Sequence, residues 1–174
     1  MKTLVGILMG SDSDLPVMQE ASKVLTEFGI GHEMHTLSAH RTPGAVMSYV
    51  QKAEADGYKA FICAAGGAAH LGGVVAAHTA LPVIGVPIMN KSTGGIDALY
   101  STVQMPPGIP VATVAINGAK NAAILAAQII GSGDADIKAK VTAYKEKMAK
   151  DIQGKDEELQ TLGVEEYLKS KGLV

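Results

Sequence analysis

The sequence holds one cysteine, two phenylalanines and no tryptophan among 174 residues, and each shortage narrows what the chain can be. A lone Cys63 forms no intrachain disulfide, and its place inside an apolar run marks a structural thiol of the reducing cytoplasm rather than a nucleophile. Scarce aromatics leave the core to Ala, Val, Ile, Leu and Met. No apolar run approaches the roughly 20 residues that a membrane span requires. The short one after Lys2 ends in an acidic turn without a small-residue cleavage pattern, so a strand is expected there and not a secretory leader. An excess of one charge is also missing: 15 basic residues are scattered among 17 acidic ones, which argues against a nucleic-acid partner. No metal is expected, because His32, His35 and His78 lack partners at ligand spacing.

What remains is a chain long enough to bury a core without a metal or disulfide staple. Residues 3–9 form a continuous apolar, partly β-branched run, the mark of a strand buried on both faces of a parallel sheet. Further strands are expected at 32–37, 59–65, 81–86 and 111–116, and helices at 15–28, 43–56, 72–79, 96–103 and 119–130. Asp14 is placed to cap the first helix, and Pro43 suits the first turn of the second. Five strand-helix alternations predict a three-layer α-β-α sandwich with a parallel sheet, flavodoxin-like in type. Gly131-Ser132-Gly133 then breaks the chain before a Lys-rich helix at 135–153, whose apolar stripe is thin and suited to reaching a partner subunit. The organisation expected is one α/β catalytic domain over residues 1–154, this helix included, and a charged tail over 155–174 with one short helix at 164–171.

Three polar turns follow the first three strands, and a parallel sheet brings such turns to one edge, where α/β folds bind ligands. In Gly10-Ser11-Asp12-Ser13-Asp14, the hydroxyls of Ser11 and Ser13 suit a phosphate. Asp14 suits a sugar diol, since a carboxylate accepts hydrogen bonds but repels an anion. In Ser38-Ala39-His40-Arg41-Thr42-Pro43, Arg41 offers a planar fork of donors for phosphate and Ser38 adds a hydroxyl. His40 differs in kind, because an imidazole gives and takes a proton near neutrality without help. In Ala65-Gly66-Gly67-Ala68-Ala69-His70, Gly66 and Gly67 admit a ligand close to the backbone, and Ala68, Ala69 and Leu71 surround His70 with a small dry pocket.

At these residues the chain resembles the phosphoribosylaminoimidazole carboxylase catalytic-subunit family of purine biosynthesis, and its bacterial mutase branch in particular. Beside the three turns, the likeness includes Leu81-Pro82-Val83-Ile84-Gly85-Val86-Pro87, Val103-Gln104-Met105-Pro106 and Pro110-Val111-Ala112-Thr113-Val114-Ala115-Ile116. The resemblance implies an enzyme that moves a carboxylate from the exocyclic nitrogen of an aminoimidazole ribonucleotide to ring carbon C4, without metal, ATP, biotin or any other cofactor. It implies Ser11 and Arg41 on the 5′-phosphate, Asp14 on the ribose and His40 as general acid and base. His70, with Gly66 and Gly67, would line the pocket that retains CO2, and the assembly would be a homo-octamer. Gly72 stands where the family has Pro, which predicts a looser turn. Ala119-Lys120-Asn121 is closer to the animal-type branch, which uses free CO2, whereas Ala68-Ala69-His70-Leu71 favours the mutase.

Two readings remain beside the mutase: a direct carboxylase fed by free CO2, and a non-catalytic nucleotide-binding module. A response-regulator receiver would need an acceptor Asp at the end of the third strand, where this chain has Ala64-Ala65-Gly66-Gly67. A flavin carrier would need aromatic rings in the three turns, and these contain none.

Overall fold

A computed structural model describes residues 2–174. Five parallel strands, β1 (Thr3–Met9), β2 (Gly31–Thr36), β3 (Ala60–Gly66), β4 (Val83–Ile88) and β5 (Ala112–Thr113), lie in the order β2-β1-β3-β4-β5. The helices are α1 (Leu15–Phe28), α2 (Pro43–Ala55), α3 (Leu71–Ala76), α4 (Ile96–Val103), α5 (Ala119–Gly131) and α6 (Ala135–Ser170). The expected three-layer, flavodoxin-like sandwich is therefore the observed one.

Alternation along the strands divides the core in two. On one face Val5, Ile7, Ile62, Ile84 and Val86 pack under α1 and the alanine-rich α5. On the other, Leu8, Phe61, Cys63 and Val83 pack under α2 and α3. Small residues let helices come close: a Cβ on Gly85 would run into Thr102 of α4 and come within 2.9 Å of Val111 Cγ1. The strand order reverses between β1 and β3, so the crevice at their carboxyl ends is where this topology binds ligands.

Several boundaries differ from expectation, and α3 ends at Ala76 rather than 79. β4 begins two residues later than expected and continues through Pro87 to Ile88. Pro87 is tolerated because β5 pairs only with Ile84 and Gly85, so no ladder bond on that side requires its missing N–H. β5 itself is two residues long, and the chain then turns at Asn117, whose φ is 58°. Finally, α6 does not stop at 153 but continues to Ser170, interrupted only at Gly163 with φ 74°. Residues 155–162 are thus helical across the expected start of the tail, and Lys171 Nζ returns to the Glu158 carboxylate at 2.6 and 2.7 Å. Only the first part of α6 is held by the domain. Ile137 and Val141 are buried, Tyr144 meets Phe28 edge-on at 5.4 Å, and Lys140 Nζ donates to the Phe28 carbonyl at 2.8 Å.

Candidate active site

The three turns meet at the carboxyl edge of the sheet around a cavity of about 450 Å³. In register, Met9 of β1 lies between Thr36 of β2 and Ala64 of β3, so the three strands release their turns side by side. Gly10 N–H donates to the Ala64 carbonyl at 3.1 Å and Leu37 N–H to the Met9 carbonyl at 2.9 Å, which ties the exits together.

After β1, residues 12–14 form a single 3-10 turn. Ser11 is extended and its Oγ accepts from Ser13 N–H at 3.3 Å and from Ser13 Oγ at 2.9 Å. Asp14 occupies the cap position of α1, but its side chain makes no capping bond, contrary to the capping role expected. The carboxylate instead lines the cavity at 6% exposure, with Ser13 Oγ 3.3 Å away. Burial is the main reason its pKa lies above the ordinary carboxylate value, and the Ser13 hydroxyl opposes that shift.

After β2, a local network shapes the next turn. Ser38 N–H donates to Thr42 Oγ1 at 2.9 Å, and Thr42 Oγ1 donates back to the Ser38 carbonyl at 3.1 Å. Buried Ser38 Oγ accepts from Arg41 N–H at 3.2 Å and Arg41 Nε at 3.3 Å, while an Nη2 hydrogen goes to the Gly10 carbonyl. Two of the five guanidinium hydrogens are thus committed, which leaves three for a ligand. Ser38 fixes the Arg41 fork, a task the sequence did not reveal.

After β3, the glycines separate. Gly66 lines the cavity, whereas Gly67 does not: it takes a φ of 65° to turn the chain, and its carbonyl faces Ser101 of α4. Leu71 is buried at the start of α3 and contributes an apolar wall. His70 lies across from His40, with His40 Nε2 and His70 Nδ1 2.8 Å apart and the rings at 82°. One nitrogen of that contact must carry the hydrogen and the other must accept it.

The strand-four exit completes the cavity with Ile88, Met89 and Asn90, which lie outside the three turns expected to form the site. The available signal was positional: a fourth parallel strand ends at the same edge. Asn90 Nδ2 donates to both Asp97 carboxylate oxygens at 2.9 and 3.0 Å, and Met89 N–H donates to Asn117 Oδ1 at 2.9 Å. Among the described residues, no group of His, Cys, Asp and Glu is arranged to hold a metal ion, and no helix is long and apolar enough to cross a membrane.

A flavodoxin-like sheet with an imidazole pair, a guanidinium, two serine hydroxyls and a buried carboxylate at its switch point has the makings of an acid–base enzyme for a small phosphorylated substrate. The chain belongs to the AIR carboxylase family, whose model matches residues 4–151. It is 54% identical to the N5-carboxyaminoimidazole ribonucleotide mutase of Thermotoga maritima, over 96% of this chain and 98% of that protein. It is 50% identical to the phosphoribosylaminoimidazole carboxylase of Saccharomyces cerevisiae, over 98% of this chain but 30% of that longer protein. A crystal structure of Treponema denticola PurE superposes with a TM-score of 0.84 at 37% identity, covering 90% of this chain and 98% of that one.

Proposed function

We infer that the chain is an N5-carboxyaminoimidazole ribonucleotide mutase, in agreement with relatives that match it over nearly the whole length of both chains. The observation that carries the chemistry is the His40–His70 contact at 2.8 Å inside a cavity that also presents Arg41, Ser11 and Ser13. In this reading Ser11, Ser13 and the free hydrogens of Arg41 take the 5′-phosphate, and Asp14 accepts from the ribose hydroxyls.

His40 then protonates the carbamate nitrogen, the N–CO2 bond breaks, and CO2 and the free aminoimidazole ribonucleotide remain in the cavity. C4 attacks the retained CO2 to form the new C–C bond, and the neutral His40 removes the C4 proton, which restores its starting state. The proton cycle closes on one ring, so no external acid, base or cofactor enters the balance. His70 holds the imidazole it faces, and buried Leu71 supplies an apolar wall beside the CO2. We also propose a cytoplasmic homo-octamer. An unpartnered apolar stripe on α4, formed by Ile96, Tyr100 and Val103, supports self-association, and sedimentation of the purified chain tests it.

The reaction is tested by supplying N5-carboxylated substrate in labelled bicarbonate, and separately the free amine with labelled CO2. The mutase reading expects efficient conversion of the first with little label in the product. Turnover from the free amine and CO2 alone would make the chain a direct carboxylase, and turnover from neither would leave a binding module.

A further inference from the structure

We propose that Ser101 of α4 is a positioning residue for His70. The proposal rests on the acid–base reading of the histidine pair and deepens it. Ser101 lies outside the cavity lining and carries no charge, so nothing in the sequence drew notice to it. Its Oγ accepts from Ala69 N–H at 3.2 Å, the residue immediately before His70. The same hydroxyl faces the Gly67 carbonyl at 3.2 Å and the Asp97 carbonyl of its own helix at 2.5 Å. The single hydroxyl hydrogen is best placed for the nearer Asp97 carbonyl, so the turn is clipped through the Ala69 N–H that the same oxygen accepts.

That turn needs a clip. Gly67 is in the left-handed region, α3 has only six residues, and glycines fill two of its first three positions. His70 makes no side-chain cap to α3, so its ring is not held by the helix it begins. Ala69 is almost fully buried, and without Ser101 its N–H has no acceptor among the described residues. α4, by contrast, is anchored. Asn90 grips Asp97 in its first turn, Gly95 before it is held against Ile116 and Met89, and Thr113 Oγ1 of β5 donates to the Thr102 carbonyl at 3.3 Å. Ser101 thus carries the rigidity of α4 and the strand-four exit across to the turn that aims His70 at His40. Loss of the clip lets the His70 ring drift, and misplacement of a reacting group by about 1 Å can cost a factor on the order of 100 in rate.

The experiment compares Ser101→Ala, Ser101→Cys and Ser101→Thr in the intact protein, reading kcat, KM, the pH profile of kcat/KM and the imidazole 15N resonances of His40 and His70. The expected result is a fall in kcat of about tenfold or more for Ser101→Ala, with KM changed far less. The pH profile should move, and so should the ring resonances that report the shared hydrogen. Ser101→Cys, a weaker acceptor, should fall between, and Ser101→Thr, which keeps the hydroxyl, should recover most of the rate. Should the Ala variant not fold, the Cys and Thr variants carry the comparison. A lowered Tm with unmoved kcat, pH profile and ring resonances would overturn the proposal and leave Ser101 a purely structural residue. His40→Asn and His70→Asn separate the two levels: if both stay active, the acid–base reading falls and this proposal with it. If they lose activity while Ser101→Ala keeps it, only the positioning role falls.

Discussion

His40 and His70, separated by 30 positions in sequence, approach each other with Nε2 and Nδ1 2.8 Å apart, so one hydrogen serves both rings. Two fully protonated rings could not make this contact, because both facing nitrogens would be donors. In the proposed mechanism the pair acts as one acid–base unit, and removal of its parts should not be additive. His40→Asn is expected to lower kcat by about 10²–10⁴ while substrate binding changes little, because the phosphate is held elsewhere. His70→Asn should cost less. The double variant should be no slower than His40→Asn alone, the signature of residues that act together. Steady-state kinetics of the three variants checks this, and a double variant slower by the product of the two losses would separate the rings.

Arg41 is tied through Nε to Ser38 and through Nη2 to the Gly10 carbonyl, so its orientation rests on fork geometry that an ammonium does not share. Arg41→Lys should raise KM by roughly ten- to a hundredfold, the range of a lost charge-assisted hydrogen bond. The maximal rate should fall much less. Ser38→Ala should produce a milder version of the same effect by releasing the fork. Kinetics at saturating substrate distinguishes this from a direct role in proton transfer, which would lower kcat.

The fold was legible in the sequence because each strand buried on both faces writes a continuous apolar run, as residues 3–9 do, and each turn after it is rich in glycine and hydroxyl groups. Topology did the rest for the site: parallel strands release their turns at one edge, so Ser11, Arg41 and His70 could be grouped without knowing a distance. Less was legible where a residue's task depends on what crosses over to it. Ser38 reads as a ligand group and lines the cavity, but its hold on the Arg41 fork was hidden, and Gly67 reads as a ligand platform but faces Ser101. Asp14 reads both as a cap and as a sugar ligand, and its carboxylate makes no capping bond but turns into the cavity. Pro87 reads as the end of a strand, since nothing local says that the neighbouring strand is too short to need its N–H. The extent of α6 beyond 153 was likewise hidden, because a charged helix with little buried surface has no apolar period to announce it.

Gly72 occupies the first turn of α3, where a side chain is sterically possible. An added Cβ would meet Val111 Cγ1 at 3.5 Å and Cys63 Cβ at 3.8 Å, ordinary packing distances. Gly72→Ala should therefore stabilise the protein by about 0.4–1 kcal/mol, by restricting the unfolded chain and favouring the helix. Thermal unfolding should show this as a rise of about 1–4 °C. An unchanged or lowered Tm would mean that α3 cannot accept the methyl group without moving.

Gly85 is the opposite case. Its missing side chain is the space into which Thr102 of α4 fits, with Val111 close behind. Gly85→Ala should cost about 1–3 kcal/mol by overpacking. Because α4 carries the contact to the Gly67–Ala69 backbone, the same substitution should also slow turnover. Denaturant unfolding with parallel kinetics tests both effects, and a variant as stable as the parent would show that α4 can slide.

In the proposed reading, Asp14 sets stability against binding. Burial raises its folded pKa above the value of 3.8 that the unfolded chain approaches, so the folded state binds a proton more tightly than the unfolded state does. Between those two values the unfolded chain releases its proton first, and stability falls as pH rises. Above the folded pKa the full cost of a buried carboxylate is present, and below 3.8 it is absent. Asp14→Asn removes the charge at nearly constant volume, so it should raise Tm at neutral pH and lose that advantage as the medium is acidified below the ordinary carboxylate range. The ribose hydroxyls would meanwhile lose a charged acceptor, a loss of about 1.5–3 kcal/mol or roughly ten- to a hundredfold in affinity. Calorimetric Tm values across acid and neutral pH, with substrate titrations on the same samples, measure the two together. A stabilised variant that still bound substrate normally would free Asp14 from the ribose, and a destabilised one would mean that its hydrogen bonds outweigh its burial.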